Sequence, residues 1–332
     1  MKLFPLKYIF VICLFFSIAF IARAQETNES NSLAQYRYAE LGNPMVIPIM
    51  RTMQFPGSEI VIEQVLPEGE NYYRYITSFY SEGYKIYALM TIPKDVAPRQ
   101  GYPAIVFAHG YIPPKEYQTD KTYYEYINIL ASHGYIVMSP DFRGHGESEG
   151  EARGAYFSPA YTIDFLNAIS SLRSYKGVDR GNIGVWGHSM GGHVVIRALA
   201  VTDTISAAVI WSGVVGSYKE IIDDWKSPDE WELTAKDGTI TPAVFASQYG
   251  TLVEDPSFWD SISPTSYVGN TPIQLHHGRL DTIVPPHFSE TFAQGRQNTE
   301  LYIYDRGTHM FENAILDEAG HNTLFFFNTY MK

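Results

Sequence analysis

The residues with the most chemistry in their spacing are Gly187-His188-Ser189-Met190-Gly191-Gly192. A serine framed as G-x-S-x-G, after the apolar run 183–186 (IGVW) and before a helical run 190–200, sits where a strand turns sharply into a helix. Such a turn forces the serine into a strained backbone conformation and lifts its hydroxyl above the sheet. The flanking glycines are needed because strand and helix approach too closely for a Cβ. A lone serine hydroxyl is a poor nucleophile, so a base and an orienting acid must accompany it. With the chain order serine, acid, histidine, the candidates are Asp281, in HHGRLDTIVP after the apolar run 272–276, and His309, in DRGTHM after the run 301–304. Each follows a strand, so each is expected at the same end of the sheet as Ser189. Asp305 is the competing acid, but it lies too close along the chain to His309 to hold that ring from behind. The loop FAHGY after the run 103–108 supplies a candidate oxyanion donor in the Tyr111 amide, with the Met190 amide as the second. His109 reads as a ring that shapes this loop. This is the equipment for acyl transfer through a covalent acyl-enzyme.

The elements that must hold these residues follow from the apolar pattern. Short β-rich runs at 59–66, 72–79 and 84–92 are separated by Pro-Glu-Gly and Ser-Glu-Gly turns. The rhythm then changes to buried strands at 103–108, 135–139, 183–186, 205–211 and 272–276, with 301–304 nearer an edge. Helical candidates fall at 122–132, 161–174, 190–200, 286–297 and 310–330. Antiparallel strands first, then strand–helix units, predict one α/β domain over 59–332 with a mostly parallel sheet and helices on both faces. Residues 217–260 break the rhythm. They carry Trp225, Trp231 and Trp259 and ten acidic residues against three lysines, and they read as a lid with Trp225 and Trp231 as candidate substrate contacts. The plainer alternative is a helical excursion that packs its own aromatics. The glycine-rich stretch DFRGHGES reads as scaffolding held by Asp141 and Arg143. His276 and His277 are adjacent on a strand and face opposite ways, which argues against a joint metal site; His188 and His193 read as packing or capping residues.

Composition removes other classes. Among 332 residues, 24 Lys+Arg stand against 36 Asp+Glu, a net charge of −12 that disfavours a nucleic-acid partner. One cysteine excludes a disulfide framework and a cysteine-based zinc site, and no cofactor or metal is implied. Lys2 and Lys7, an apolar stretch over 8–22 and Ala22-Arg23-Ala24 have the layout of a secretory signal peptide cut before Gln25. About 15 apolar residues are too few to span a bilayer, so the mature chain is expected in the periplasm or medium, without stable membrane insertion. Losing Lys2, Lys7 and Arg23 takes its net charge from −12 to −15. Residues 25–58 read as an N-terminal arm lying on the domain.

GHSMGG, the H-G-x loop, D-x-R-G-x-G-x-S and the H-G-x-x-D-x-x-V-P run together resemble the α/β-hydrolase superfamily. In particular they are similar to the catalytic domain of the prolyl oligopeptidase family of serine peptidases and its esterase relatives. The resemblance covers residues 84 to the C-terminus. It implies an eight-stranded core sheet and the triad Ser189, Asp281 and His309. That peptidase family usually carries a large β-propeller, which the short segment before residue 59 cannot hold. Two enzyme readings follow: a serine peptidase acting on short peptides, whose amino terminus the lid acids would bind, or a carboxylesterase acting on small acyl, aromatic or sugar esters. A non-catalytic binding protein on the same fold is the reading from another class; a missing triad member would mark it, and all three are present in order.

Overall fold

The computed structural model describes residues 42–226, 231, 235 and 238–331. The expected signal peptide over residues 1–24 and the first part of the expected arm lie outside the described residues. Nine strands form one sheet: β1 (Val61–Leu66), β2 (Tyr72–Ser81), β3 (Tyr84–Pro93), β4 (Tyr102–Ala108), β5 (Ile136–Pro140), β6 (Val178–His188), β7 (Ala208–Trp211), β8 (Ile273–Gly278) and β9 (Thr299–Tyr304). Their order is β1-β2-β3-β5-β4-β6-β7-β8-β9. The first three pair antiparallel, β3 meets β5 antiparallel, and the remaining pairs are all parallel. The sheet thus has one strand more than the eight implied by resemblance. The extra strand is β1, whose residues are almost all exposed because it adds only to the outer edge of β2.

Alternation along the central strands explains the two cores. Ala104, Val106 and Ala108 of β4 face one cluster, whereas Ile105 and Phe107 face the other. The first cluster lies under α3 (Ala160–Ser174), α4 (Met190–Val201) and α8 (His287–Ala293). The second lies under α2 (Tyr124–Ala131) and α9 (Asn313–Met331). Because both faces are covered, the parallel strands read as continuous apolar runs.

The arm ends in a single turn, α1 (Ile47–Met50), with Ile47 and Met50 buried. Arg51 Nε donates to the Ala200 carbonyl at 2.7 Å, and the buried Arg197 donates to the carbonyls of Met45 and Ile262. Within the excursion after β7, three short helices are described: α5 (Tyr218–Asp223), α6 (Pro242–Tyr249) and α7 (Pro256–Ile262). Thr241-Pro242 and Asp255-Pro256 start the last two with a capping side chain followed by proline, whose missing N–H costs nothing at a first helical position. Among the described residues, no helix is long and apolar enough to cross a membrane.

Candidate active site

Ser189 stands between β6 and α4 with φ 54° and ψ −118°, in a region L-residues avoid. The surroundings leave no room to relax. The Ser189 N–H donates to the Trp211 carbonyl at 3.1 Å, and its own carbonyl accepts from Gly192 and Val214 at 2.9 and 3.1 Å. A Cβ on Gly191 would lie 1.9 Å from the Ala108 carbonyl oxygen, so helix and sheet meet here only through glycine.

Two loops away, Asp281 Oδ2 accepts a 2.8 Å hydrogen bond from His309 Nδ1. Its Oδ1 accepts the amides of Ile283 and Val284 at 2.8 and 2.9 Å. A third side chain joins from β8: His277 Nε2 lies 3.2 Å from Asp281 Oδ2, while its Nδ1 meets the Ser289 hydroxyl at 2.7 Å. Burial by itself pushes the Asp281 carboxyl up, but the hydrogen bonds from His277 and His309 outweigh it and hold the group well below the usual carboxylate range. It is therefore an anion at any working pH. Since a carboxylate only accepts, His309 Nδ1 carries a proton, and in the neutral ring this leaves the lone pair on Nε2. Asp305 is elsewhere: it is exposed and paired with Arg279 Nε at 2.9 Å.

The loop after β4 approaches the serine closely. A Cβ on Gly110 would come within 3.1 Å of Ser189 Cβ. The next residue, Tyr111, has an exposed side chain, and Met190 is the first residue of α4, whose amide has no acceptor within the helix. His109 is fully buried, with its ring nitrogens facing the carbonyls of Gly110 and Asp141 and its ring against Tyr117, Phe142 and His145. Burial pushes its imidazole down to about 4, so it is neutral, as a loop-shaping ring should be. Arg143 binds Asp164 through Nε and Nη2 at 3.0 and 2.6 Å and also reaches Glu82, which makes the glycine-rich loop after β5 scaffolding.

Trp225 is half-buried, and its Nε1–H donates to the Ile283 carbonyl at 2.6 Å, two residues beyond Asp281. Trp231 is buried among Tyr156, Phe157 and Trp225. Lys226 Nζ lies over the rings of both tryptophans. Four of the described lid acids serve their own backbone or a neighbouring lysine. Glu220 closes a capping box with Ser217, Glu254 accepts from Thr251, Asp255 caps α7, and Asp223 pairs with Lys219. Asp229, Glu230, Glu232 and Asp237 lie outside the described residues. No group of three or more metal-ligating side chains occurs among the described residues.

Sequence reasoning missed two contributors. His277 opens the H-G-x-x-D-x-x-V-P run, but that pattern gives its ring no task of its own, and Tyr123 gives no sequence signal at all, since its role depends on a loop folding back over β6. His188, which reads from the sequence as a packing or capping residue, also hydrogen-bonds to Tyr123 and to the His309 carbonyl.

The model of the alpha/beta hydrolase family matches residues 105–327. Mouse dipeptidyl peptidase 8 is 25% identical over 189 residues, covering 54% of this chain and 20% of that protein. Dipeptidyl-peptidase 5 of Porphyromonas gingivalis is 25% identical over 214 residues, covering 60% of this chain and 29% of its own length. The chain therefore spans well under half of these relatives. Among solved structures, acetyl xylan esterase 1 from Thermoanaerobacterium superposes with a TM-score of 0.64 at 17% identity, over 85% of this chain and 90% of that one. The acylaminoacyl peptidase of Pyrococcus horikoshii gives 0.62 at 20% identity, over 79% and 42%. These two likenesses are of fold.

Proposed function

The chain belongs to the alpha/beta hydrolase family, and from that premise we propose that it is an exported serine hydrolase working through an acyl-enzyme on Ser189. The observations that carry the reading are the 2.8 Å hydrogen bond from His309 Nδ1 to an ionised Asp281 and a serine held at φ 54° on a strand-to-helix turn. His309 Nε2 takes the Ser189 proton as the oxygen attacks the substrate carbonyl. Asp281 keeps the imidazole in the tautomer this requires and stabilises the imidazolium that forms. The amides of Tyr111 and Met190 receive the negative charge on the carbonyl oxygen, a contribution of about 10²–10³ in rate for each donor. The protonated His309 then hands its proton to the leaving group. Water, deprotonated by the same ring, attacks the acyl-enzyme and releases the acid.

For the substrate, the described lid favours small esters. Four of the ten acids that would bind a peptide's amino terminus, Glu220, Asp223, Glu254 and Asp255, are engaged in capping and turn hydrogen bonds and a lysine pair. The second reading, a peptidase acting on short peptides, draws on the dipeptidyl peptidases among the relatives. The test is turnover by the mature protein and its Ser189→Ala variant on short acyl and aromatic esters and on aminoacyl and Xaa-Pro anilides. Serine-dependent ester cleavage is expected. Serine-dependent cleavage of anilides with free amino ends would replace the ester reading with the peptidase one, and turnover retained by Ser189→Ala would overturn the hydrolase mechanism itself.

A further inference from the structure

We propose that Tyr123 and His188, neither of them members of the triad, are positioning residues that fix His309 and the Gly110 peptide against Ser189; this rests on Ser189 and His309 being nucleophile and base. The hydrogen bonds form one connected bridge between three catalytic loops. His188 Nε2 lies 3.0 Å from the His309 carbonyl, His188 Nδ1 lies 2.7 Å from Tyr123 Oη, and the Gly110 N–H donates to the same phenol oxygen at 3.1 Å.

The direction of every bond is fixed. A backbone carbonyl only accepts, so His188 Nε2 carries a proton. The ring is neutral, because burial and the neighbouring His309 push its imidazole down to about 3. Nδ1 must then accept, so the Tyr123 hydroxyl donates to it and offers its lone pair to Gly110. Each member has one arrangement, and losing the phenol frees two of them at once: the Gly110 peptide is free to rotate, and His188 is free to move its proton to Nδ1 and release His309.

The packing shows that this arrangement is enforced. Tyr123 holds φ 58°, an unfavourable value for a residue with a side chain, immediately before α2. Its ring packs against Phe107, Tyr126 and His188, and the His188 ring lies 4.8 Å from that of His309. A Cβ on Gly110 would fall 2.3 Å from Tyr123 Oη and 3.1 Å from both His188 Nδ1 and Ser189 Cβ, so the bridge and the nucleophile converge on one glycine. The bridge also settles which amide does not serve the oxyanion. Gly110 is committed to Tyr123, so the loop's donor has to come from a later residue, as the assignment of Tyr111 requires.

The experiment compares Tyr123→Phe, His188→Leu and His188→Gln with the wild type and Ser189→Ala on a p-nitrophenyl ester, with thermal melts for each. Tyr123→Phe and His188→Leu are expected to stay folded and lose about 10- to 100-fold in kcat with KM nearly unchanged, as misplacement of reacting groups does. A glutamine at 188 can accept from Tyr123 and donate to the His309 carbonyl, so His188→Gln is expected to keep more of the rate than His188→Leu. The bridge is refuted if Tyr123→Phe retains wild-type kcat, if the losses only track the folded fraction, or if Gln rescues no better than Leu. Residual turnover in Ser189→Ala would instead remove the reading on which the bridge depends.

Discussion

Replacing Asp281 by asparagine changes one oxygen for an amide nitrogen and should cost the enzyme nearly all its rate. The carboxylate accepts from His309 on Oδ2 and from the amides of Ile283 and Val284 on Oδ1, and His277 Nε2, bonded to the Val284 carbonyl at 3.0 Å, lies 3.2 Å from Oδ2. An asparagine has one oxygen. If that oxygen stays with the two backbone amides, its NH2 faces the N–H groups of His309 and His277. His309 then escapes the clash by moving its proton from Nδ1 to Nε2, the atom that must accept the Ser189 proton. If the amide flips, its NH2 meets two backbone donors that cannot change. The wrong tautomer at a catalytic histidine costs about 10⁴ in kcat, or about 5 kcal/mol of barrier. Steady-state kinetics on a p-nitrophenyl ester gives kcat and KM, with a thermal melt to establish the fold. KM should move little, since Asp281 is buried behind His309. Asp305→Asn is the matched control: an exposed carboxylate paired with an exposed arginine should leave kcat intact. Asp281→Asn within tenfold of the wild type, or Asp305→Asn as the damaging change, would refute the reasoning.

Two further outcomes follow from the same geometry. Gly191→Ala should give no soluble folded protein, or a folded one without activity, because the new methyl would sit 1.9 Å from the Ala108 carbonyl; a soluble, active Gly191→Ala would contradict the close approach at the turn. Stability should fall steeply as pH drops below about 6.5. Burial pushes His109 down to about 4 and His145, His188, His193 and His276 to about 3, so each stabilises the fold fully above the ordinary histidine pKa and loses that contribution as pH falls toward the folded value. Asp141, raised to about 7 by burial, acts oppositely: its contribution is full below the ordinary aspartate pKa and is lost as pH rises through 7. Between those limits unfolding takes up five protons at the histidines and gives up one, a slope of at most about 5 kcal/mol per pH unit. Urea midpoints at pH 7.5, 6.5 and 5.5 read it, and a flat series would contradict the buried neutral rings. Asp281 adds a smaller loss of the same sign at lower pH, since its depressed carboxyl stabilises the fold only above the ordinary carboxylate range.

What the sequence made legible was local or ordered along the chain. The turn at Ser189 needs only an apolar strand, two glycines and a helix in succession, all within a dozen residues. Asp281 and His309 could be found because each follows its own strand in a known order. The nine β-rich runs correspond to the nine strands, and it was the family likeness that put the count at eight. Boundaries were less legible. β6 begins at Val178, five residues before its apolar run, because pairing with β4 carries a polar stretch into the sheet. α8 ends at Ala293, well short of residue 297, where polar residues lead directly into β9. The partners of the site were hidden for another reason. Tyr123 and His188 make their hydrogen bonds across loops that pattern and periodicity do not register, and Trp231 packs against Tyr156 and Phe157 of the main core although composition alone suggested a contact surface.

The most direct test of the central claim is covalent. The protein, treated with a fluorophosphonate, digested and mapped by mass spectrometry, should carry one adduct, on the peptide containing Ser189, with loss of hydrolysis in proportion to labelling and no labelling of Ser189→Ala. An unlabelled protein that nonetheless turns over substrate, or an adduct on another residue that abolishes activity, would contradict the assignment of Ser189 as the nucleophile.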